Sequence, residues 1–268
     1  MKKPLRLSRL TVGVLAIITT ALGLAPSAHA LYPRPKGEPI MQQVWSDLMF
    51  THYEVDPQRL RKLVPYPLEI DTYQGKAYIG VVAFEMTEGR APYVPFKLYS
   101  AFGQVNLRTY VKYKGRRGVY FFSLDADHLL SSAIANFAFD LPYRNTEIVH
   151  IPSERSDDGM PWTQSRHYNQ PFEIRLTSYS EPKNYDPKSL EIWMTDLDLY
   201  FQVTHRECVA SAQLWHEPFE MREATAKIYQ PNLAYYSRDF GIKSRPSFHF
   251  VKRAVTYFWA PTEECPRY

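Results

Sequence analysis

Several signatures of well-known chemistries are missing from this chain. It has no glycine-rich phosphate loop, no G-x-S-x-G nucleophile elbow and no H-E-x-x-H metal motif. Internal repeats and low-complexity blocks are absent too. Only two cysteines occur in 268 residues, Cys208 and Cys265, and neither sits in a nucleophile context. Net charge is also scarce. The formal +4 comes entirely from Lys2, Lys3, Arg6 and Arg9 at the N-terminus, and the remainder has 28 basic and 28 acidic residues. Nothing in that balance recommends a nucleic acid or an anionic membrane as partner. The longest apolar run, Leu10 to Ala25, spans about 16 residues, short of the roughly 20 that cross a bilayer.

That run follows a basic stretch and precedes Ala28-His29-Ala30, a small-x-small cleavage pattern. Residues 1–30 therefore read as a secretory signal peptide, and 31–268 as one exported domain, periplasmic or secreted. No cysteine follows the apolar run, so a lipoprotein anchor is not indicated. Once the signal is cleaved, no membrane span is expected. Export also allows Cys208 and Cys265 to form a lasting disulfide that pins the C-terminal tail; two unpaired thiols is the alternative.

Strands dominate the rest of the chain. Alternation predicts one over 41–55. Asp56 caps a short helix over 56–65, with Pro57 at its first position and Pro65 ending it. Two strands are expected around Gln74-Gly75, a hairpin over 102–127 and a helix over 128–143. Further strands are expected at 148–151, 163–168, 172–179, 197–204, 207–214, 221–229 and 248–258. The hairpin-like spacing predicts an α+β chain, mainly antiparallel β, with a few short helices.

The hairpin "FGQVNLRTYVKYKGRRGVYFFSLDAD" carries the candidate site. Gln104, Asn106, Arg108 and Tyr110 share one face of its first strand. A loop with an even number of residues sets them against Val119, Phe121, Ser123 and Asp125, with Arg108 opposite Ser123 or Asp125. Pocket lining, a helix-covered face and an exposed Arg–Asp cross-strand pair all stay open at this point. His216 is a further candidate for moving a proton. His205, His216, His249, Glu207 and Glu217 lack tight ligand spacing, so no metal site is expected.

The blocks "MQQVWSDLMFTHYEVDPQRLRKLVPYPLEIDTYQGKAYIGVVAFEM", "NLRTYV", "GVYFFSLDAD" and "FDLPY" resemble the YqjF-like family of uncharacterised conserved proteins. That family is similar in fold to acetoacetate decarboxylase, which implies a large sheet curled into a cone or half-barrel around a central pocket. The decarboxylase works through a Schiff-base lysine beside a second lysine. Tyr143 and Arg144 stand at the nearest counterpart here, and neither supplies a neutral amine. The resemblance thus implies a fold without that reaction. The chain also departs from its nearer family at Gln104, where an acid is usual. The expected function is binding of a small anionic or keto-acid-like molecule, with no cofactor. Gln104, Asn106, Arg108, Tyr110, Phe121, Ser123 and Asp125 would form the site. A lyase or isomerase using Asp125 or His216, or a structural protein, are the alternatives.

Overall fold

The computed structural model describes residues 32–92, 101–127, 141–167, 170–231 and 240–265. The signal segment, and most of the helix expected over 128–143, lie outside those residues.

The first strand, β1, spans Met41–Val55, and α1 spans Pro57–Leu63. Asp56 caps α1 by accepting from the backbone N–H groups of Gln58 and Arg59, and Pro57 starts it without wasting a donor. Leu60, and Val64 at the C-terminal cap, bury the apolar side of this helix of about two turns. Next come β2 (Glu69–Ile70), β3 (Ala77–Arg90), β4 (Phe102–Tyr113) and β5 (Arg116–Ala126). The turn at Gln74-Gly75 is present, both residues having positive φ, but β2 pairs with β4 rather than with β3. The expected hairpin there is reduced to one isolated bridge, Tyr73 to Lys76.

Short strands β6 (Tyr143–Asn145) and β7 (Glu147–Ile151) precede β8 (Trp162–His167) and β9 (Gln170–Tyr179). A helix not expected from the sequence pattern, α2 (Leu190–Thr195), is capped by the Ser189 side chain. The chain closes with β10 (Leu199–Val203), β11 (Val209–His216), β12 (Arg222–Pro231), β13 (Ser247–Phe258) and β14 (Thr262–Glu264).

The sheet is mixed, mostly antiparallel, and curls into a ring. Neighbours run β11-β10-β5-β4-β3-β1-β13, and β13 pairs back onto β11. Two short seams close it. One is the antiparallel contact Leu214–Phe258, Trp215–Tyr257 and His216–Thr256. The other is a parallel contact of β10 with β5 at Tyr200–Val119 and Phe201–Tyr120. Strands β12, β9, β8 and β7 extend outward from β13 as a wing. The outward faces of β3 and β4, with Val81, Ala83, Val105 and Leu107, pack with Ile148, Ile174 and Leu176 of the wing. Both faces of these central strands are therefore covered. Cys208 and Cys265 form a disulfide that ties β14 to the start of β11.

Candidate functional site

The inner face of the ring encloses a cavity of about 120 Å³. Its wall is mainly apolar: Leu48 and Phe50 of β1, Val82, Phe84 and Met86 of β3, Phe121 and Leu124 of β5, and Tyr200 of β10. Polar groups enter it from β4. Gln104, Asn106 and Arg108 stand at alternate positions of that strand and share its inner side.

Arg108 is the distinctive group. One of its terminal nitrogens donates to the carbonyl of Met194 at 3.1 Å, and its guanidinium lies 5.6 Å from the centre of the Phe50 ring. Its Nε is buried without a partner, and among the described residues it forms no ion pair. A charge in a mostly apolar hollow needs an opposite charge to offset its desolvation. Beside it, Gln104 Oε1 and Asn106 Oδ1 are buried acceptors with no donor. Gln104 Nε2 donates to Tyr143 Oη at 3.4 Å, and burial pushes that phenol up to about 12.

His216 also lines the cavity. Its Nδ1 donates to the carbonyl of Glu217 at 2.8 Å, which fixes the tautomer and leaves Nε2 as the basic nitrogen. Asp196 Oδ1 lies 3.8 Å from Nε2, and the ring stacks on Phe219 at 3.8 Å. Burial lowers the imidazole pKa and Arg108 adds to that, while Asp196 opposes it.

The hairpin differs from the expected register in one place that matters. Its loop is the two-residue Lys114-Gly115, with Tyr113 paired to Arg116. Near the turn, Tyr110 faces Val119 and Arg108 faces Phe121, the parity of an even loop. Between Leu107 and Arg108 the ladder shifts by one residue, a bulge that leaves Phe122 without an opposite number. Beyond it Leu107 faces Ser123 and Val105 faces Asp125, so both polar residues turn to the outer side. Leu124 takes the inner position instead. Asp125 is consequently not beside Arg108. It sits opposite Arg144 on β6, whose Nε is 3.2 Å from its Oδ1.

The seven residues proposed from sequence thus divide. Gln104, Asn106, Arg108 and Phe121 reach the cavity wall, together with His216. Tyr110 is fully buried just beyond it, against Trp193 at 4.8 Å between ring centres. Ser123 and Asp125 lie on the opposite face. His205 sits on an exposed turn. Among the described residues, the one group of potential metal ligands within reach of one another is Cys208, Glu263 and Cys265, and both thiols are consumed by the disulfide.

A family of proteins described as "Uncharacterized conserved protein" matches residues 42–254. The chain belongs to this family. The uncharacterized protein YqjF of Bacillus subtilis (strain 168) is 36% identical over 231 residues, covering 84% of this chain and 93% of that protein. In solved structures the family's ring has counterparts at low identity. Acetoacetate decarboxylase from Legionella pneumophila superposes with a TM-score of 0.61 at 12% identity, over 95% of this chain and 99% of that one. The enduracididine biosynthesis enzyme MppR with HEPES buffer bound gives 0.62 at 11% identity, over 85% and 88%. MppR complexed with pyruvate gives 0.61 at 11%, over 85% and 91%. The fold of this family member is therefore acetoacetate decarboxylase-like. No lysine is among the described residues that line its cavity, and Tyr143 occupies that wall.

Proposed function

We propose that this protein binds a small carboxylate in its central cavity without forming a covalent link to it. The carrying observation is Arg108, a guanidinium with no ion pair among the described residues, on a mainly apolar wall. The carboxylate takes a forked, charge-assisted contact with it. Gln104 and Asn106 keep carbonyl acceptors unfilled, which suit a hydroxyl where the ligand carries one. Phe50, Phe84 and Phe121 enclose its carbon body. An apolar cavity of about 150 Å³ holds benzene, so about 120 Å³ suits a ligand of about six non-hydrogen atoms. MppR, a protein of similar fold, is described in complex with pyruvate, a carboxylate of that size. Residues 1–30 direct export in this reading, so the ligand is met outside the cytoplasm. Isothermal titration of the purified protein with pyruvate, acetate and isobutyrate tests the binding claim. Arg108→Leu lowers carboxylate affinity at least a hundredfold while the fold persists. Undiminished affinity in that variant sinks the proposal.

His216 favours a second reading, in which the ligand is a keto or enol acid and the imidazole moves a proton on it. Its basic nitrogen borders the same cavity, with Asp196 placed to steady the protonated ring. Asp125 no longer serves that role, since it is outside the cavity and held by Arg144. Turnover on a panel of β-keto acids that disappears in His216→Gln supports catalysis; absence of turnover leaves binding alone.

A further inference from the structure

Beyond Arg108, on the inner side of the ring, lies a group of polar side chains that the carboxylate reading does not use. His52 is 2% exposed, Tyr110 0% and His249 6%. Both nitrogens of His52, Tyr110 Oη, His249 Nδ1 and Arg108 Nε are all buried and make no hydrogen bond of good geometry, although Arg108 comes near enough to the Tyr110 hydroxyl to weaken its hold on its proton. The His52 ring centre is 6.4 Å from that of Tyr110 and 6.2 Å from that of His249. It also stacks against Phe50, which lines the cavity. Burying a polar group without a partner is costly, so a cluster of such groups calls for an occupant.

Gly80 faces the cluster from β3. A Cβ there would stand 3.2 Å from Tyr110 Oη and 3.3 Å from His52 Nε2, tighter than ordinary contact. Glycine inside a strand weakens it, and here it lets these two polar side chains pack directly against the backbone of β3, next to the cavity-lining Phe50 and Arg108. The groups of the cluster can all donate: Arg108 through Nε–H, Tyr110 through its hydroxyl, His52 through whichever nitrogen carries its proton. Burial and the nearby Arg108 hold His52 neutral, and burial holds His249 neutral. Burial likewise keeps the Tyr110 phenol protonated. The guanidinium is thus the sole formal charge in this cluster. It matches one negative charge, and the remaining donors match an uncharged oxygen.

We propose that His52 and Tyr110, beside Arg108, form an oxygen-binding subsite, so that the ligand is a monocarboxylate with an oxygen on the adjacent carbon, a 2-oxo or 2-hydroxy acid. The inference rests on the carboxylate reading of Arg108 and narrows it. Water fills the subsite when no ligand is present, and the ligand's carbonyl or hydroxyl oxygen replaces it. A dicarboxylate is disfavoured because no second cation is among the described residues around the cavity, and a simple fatty acid by the donors it leaves unmatched.

The test compares pyruvate with isobutyrate, which has the same number of non-hydrogen atoms but no oxygen beside the carboxylate. Titration calorimetry of the wild-type protein is expected to show pyruvate binding at least tenfold more tightly. Tyr110→Phe removes a single oxygen without changing packing, and the preference is expected to fall below threefold in it. His52→Leu provides an independent second variant with the same expectation. Equal affinity for both acids in the wild type overturns the subsite and leaves the Arg108 reading standing. A preference that survives in both variants also overturns it. Failure of both acids to bind overturns the two readings together.

Discussion

Arg144 Nε lies 3.2 Å from Asp125 Oδ1, and this ion pair, formed between parallel neighbours β5 and β6, takes away the acid that sequence alone sets beside Arg108. It is an ion pair rather than an aligned hydrogen bond, since Oδ1 has no hydrogen-bond partner. Burial dominates the result and pushes the Asp125 carboxyl up to about 6 from 3.8, against the opposing pull of Arg144. Arg108 is left with its charge directed at the cavity.

The pH dependence of stability follows from Asp125. In the unfolded chain this carboxyl ionises near its ordinary value; in the fold it holds its proton until about pH 6. The folded state therefore binds the proton more tightly, and this contribution to stability is present below pH 3.8 and lost as pH rises to 6. The full loss is about 3 kcal/mol. Asp125→Asn cannot ionise and does not suffer it. Melting temperatures from about pH 4 to about pH 6.5 should show the variant gaining on the wild type as pH rises. A constant difference would contradict the buried, proton-holding site.

The parallel seam of the ring depends on a close approach at Gly118. A Cβ there would stand 2.8 Å from the Leu199 carbonyl oxygen and 2.8 Å from the Phe201 ring. The oxygen belongs to backbone and cannot swing aside, so Gly118→Ala must push β10 away from β5. Overpacking of this kind costs about 1–3 kcal/mol. Denaturant unfolding should register that loss, and protection of the Phe201 amide from hydrogen exchange should fall more than that of amides in β3.

Much of this architecture is written in the chain's local chemistry. Asp56 and Pro57 announce α1, and alternation marks β1 with its observed limits. The parity of the β4–β5 hairpin follows from which faces are apolar. The bulge at Phe122 does not, because no glycine marks it and a one-residue shift is invisible when both faces carry mixed side chains. That single residue decides the placement of Ser123 and Asp125. Asp71 looks isolated in sequence, yet Arg117 of β5 at 2.6 Å and Lys112 of β4 at 2.8 Å hold it. His52 is likewise unremarkable in "MFTHYEV"; only the pairing of β1 with β13 on one side, and with β3 and then β4 across Gly80 on the other, brings it near His249 and Tyr110. Its one local signal is a histidine at the inward position that follows Leu48 and Phe50.

The disulfide fastens an edge rather than the ring itself. Cys208 and Cys265 are 57 residues apart, and in the chain-entropy account a loop of that length is worth about 4 kcal/mol. Reduction, or Cys208→Ala with Cys265→Ala, should lower the unfolding free energy toward that extent in guanidinium titrations. The β11–β13 seam at Trp215–Tyr257 does not involve either cysteine. Native far-ultraviolet circular dichroism should therefore be unchanged before the transition. A reduced protein without its sheet signal would show that β14 is needed to close the ring.

Carboxylate binding should draw a proton into the site through His216. Four neighbours act on that imidazole: Asp196 from the end of α2, Arg108 from β4, the Glu217 carbonyl and the Phe219 ring. In the free protein, burial and the Arg108 cation together hold its pKa below 6.5. A bound carboxylate neutralises the guanidinium and adds a negative charge of its own, so the pKa rises on binding. Between the free and bound values the complex carries more proton than its parts, and affinity must increase as pH falls through that window. Titration calorimetry at about pH 6 in two buffers of different ionisation enthalpy should show proton uptake. The uptake should shrink as pH rises above the bound-state value, and vanish in His216→Asn at any pH. Proton release in the more acidic buffers, or affinity that does not change with pH, would mean that His216 does not feel the ligand and that the carboxylate docks elsewhere.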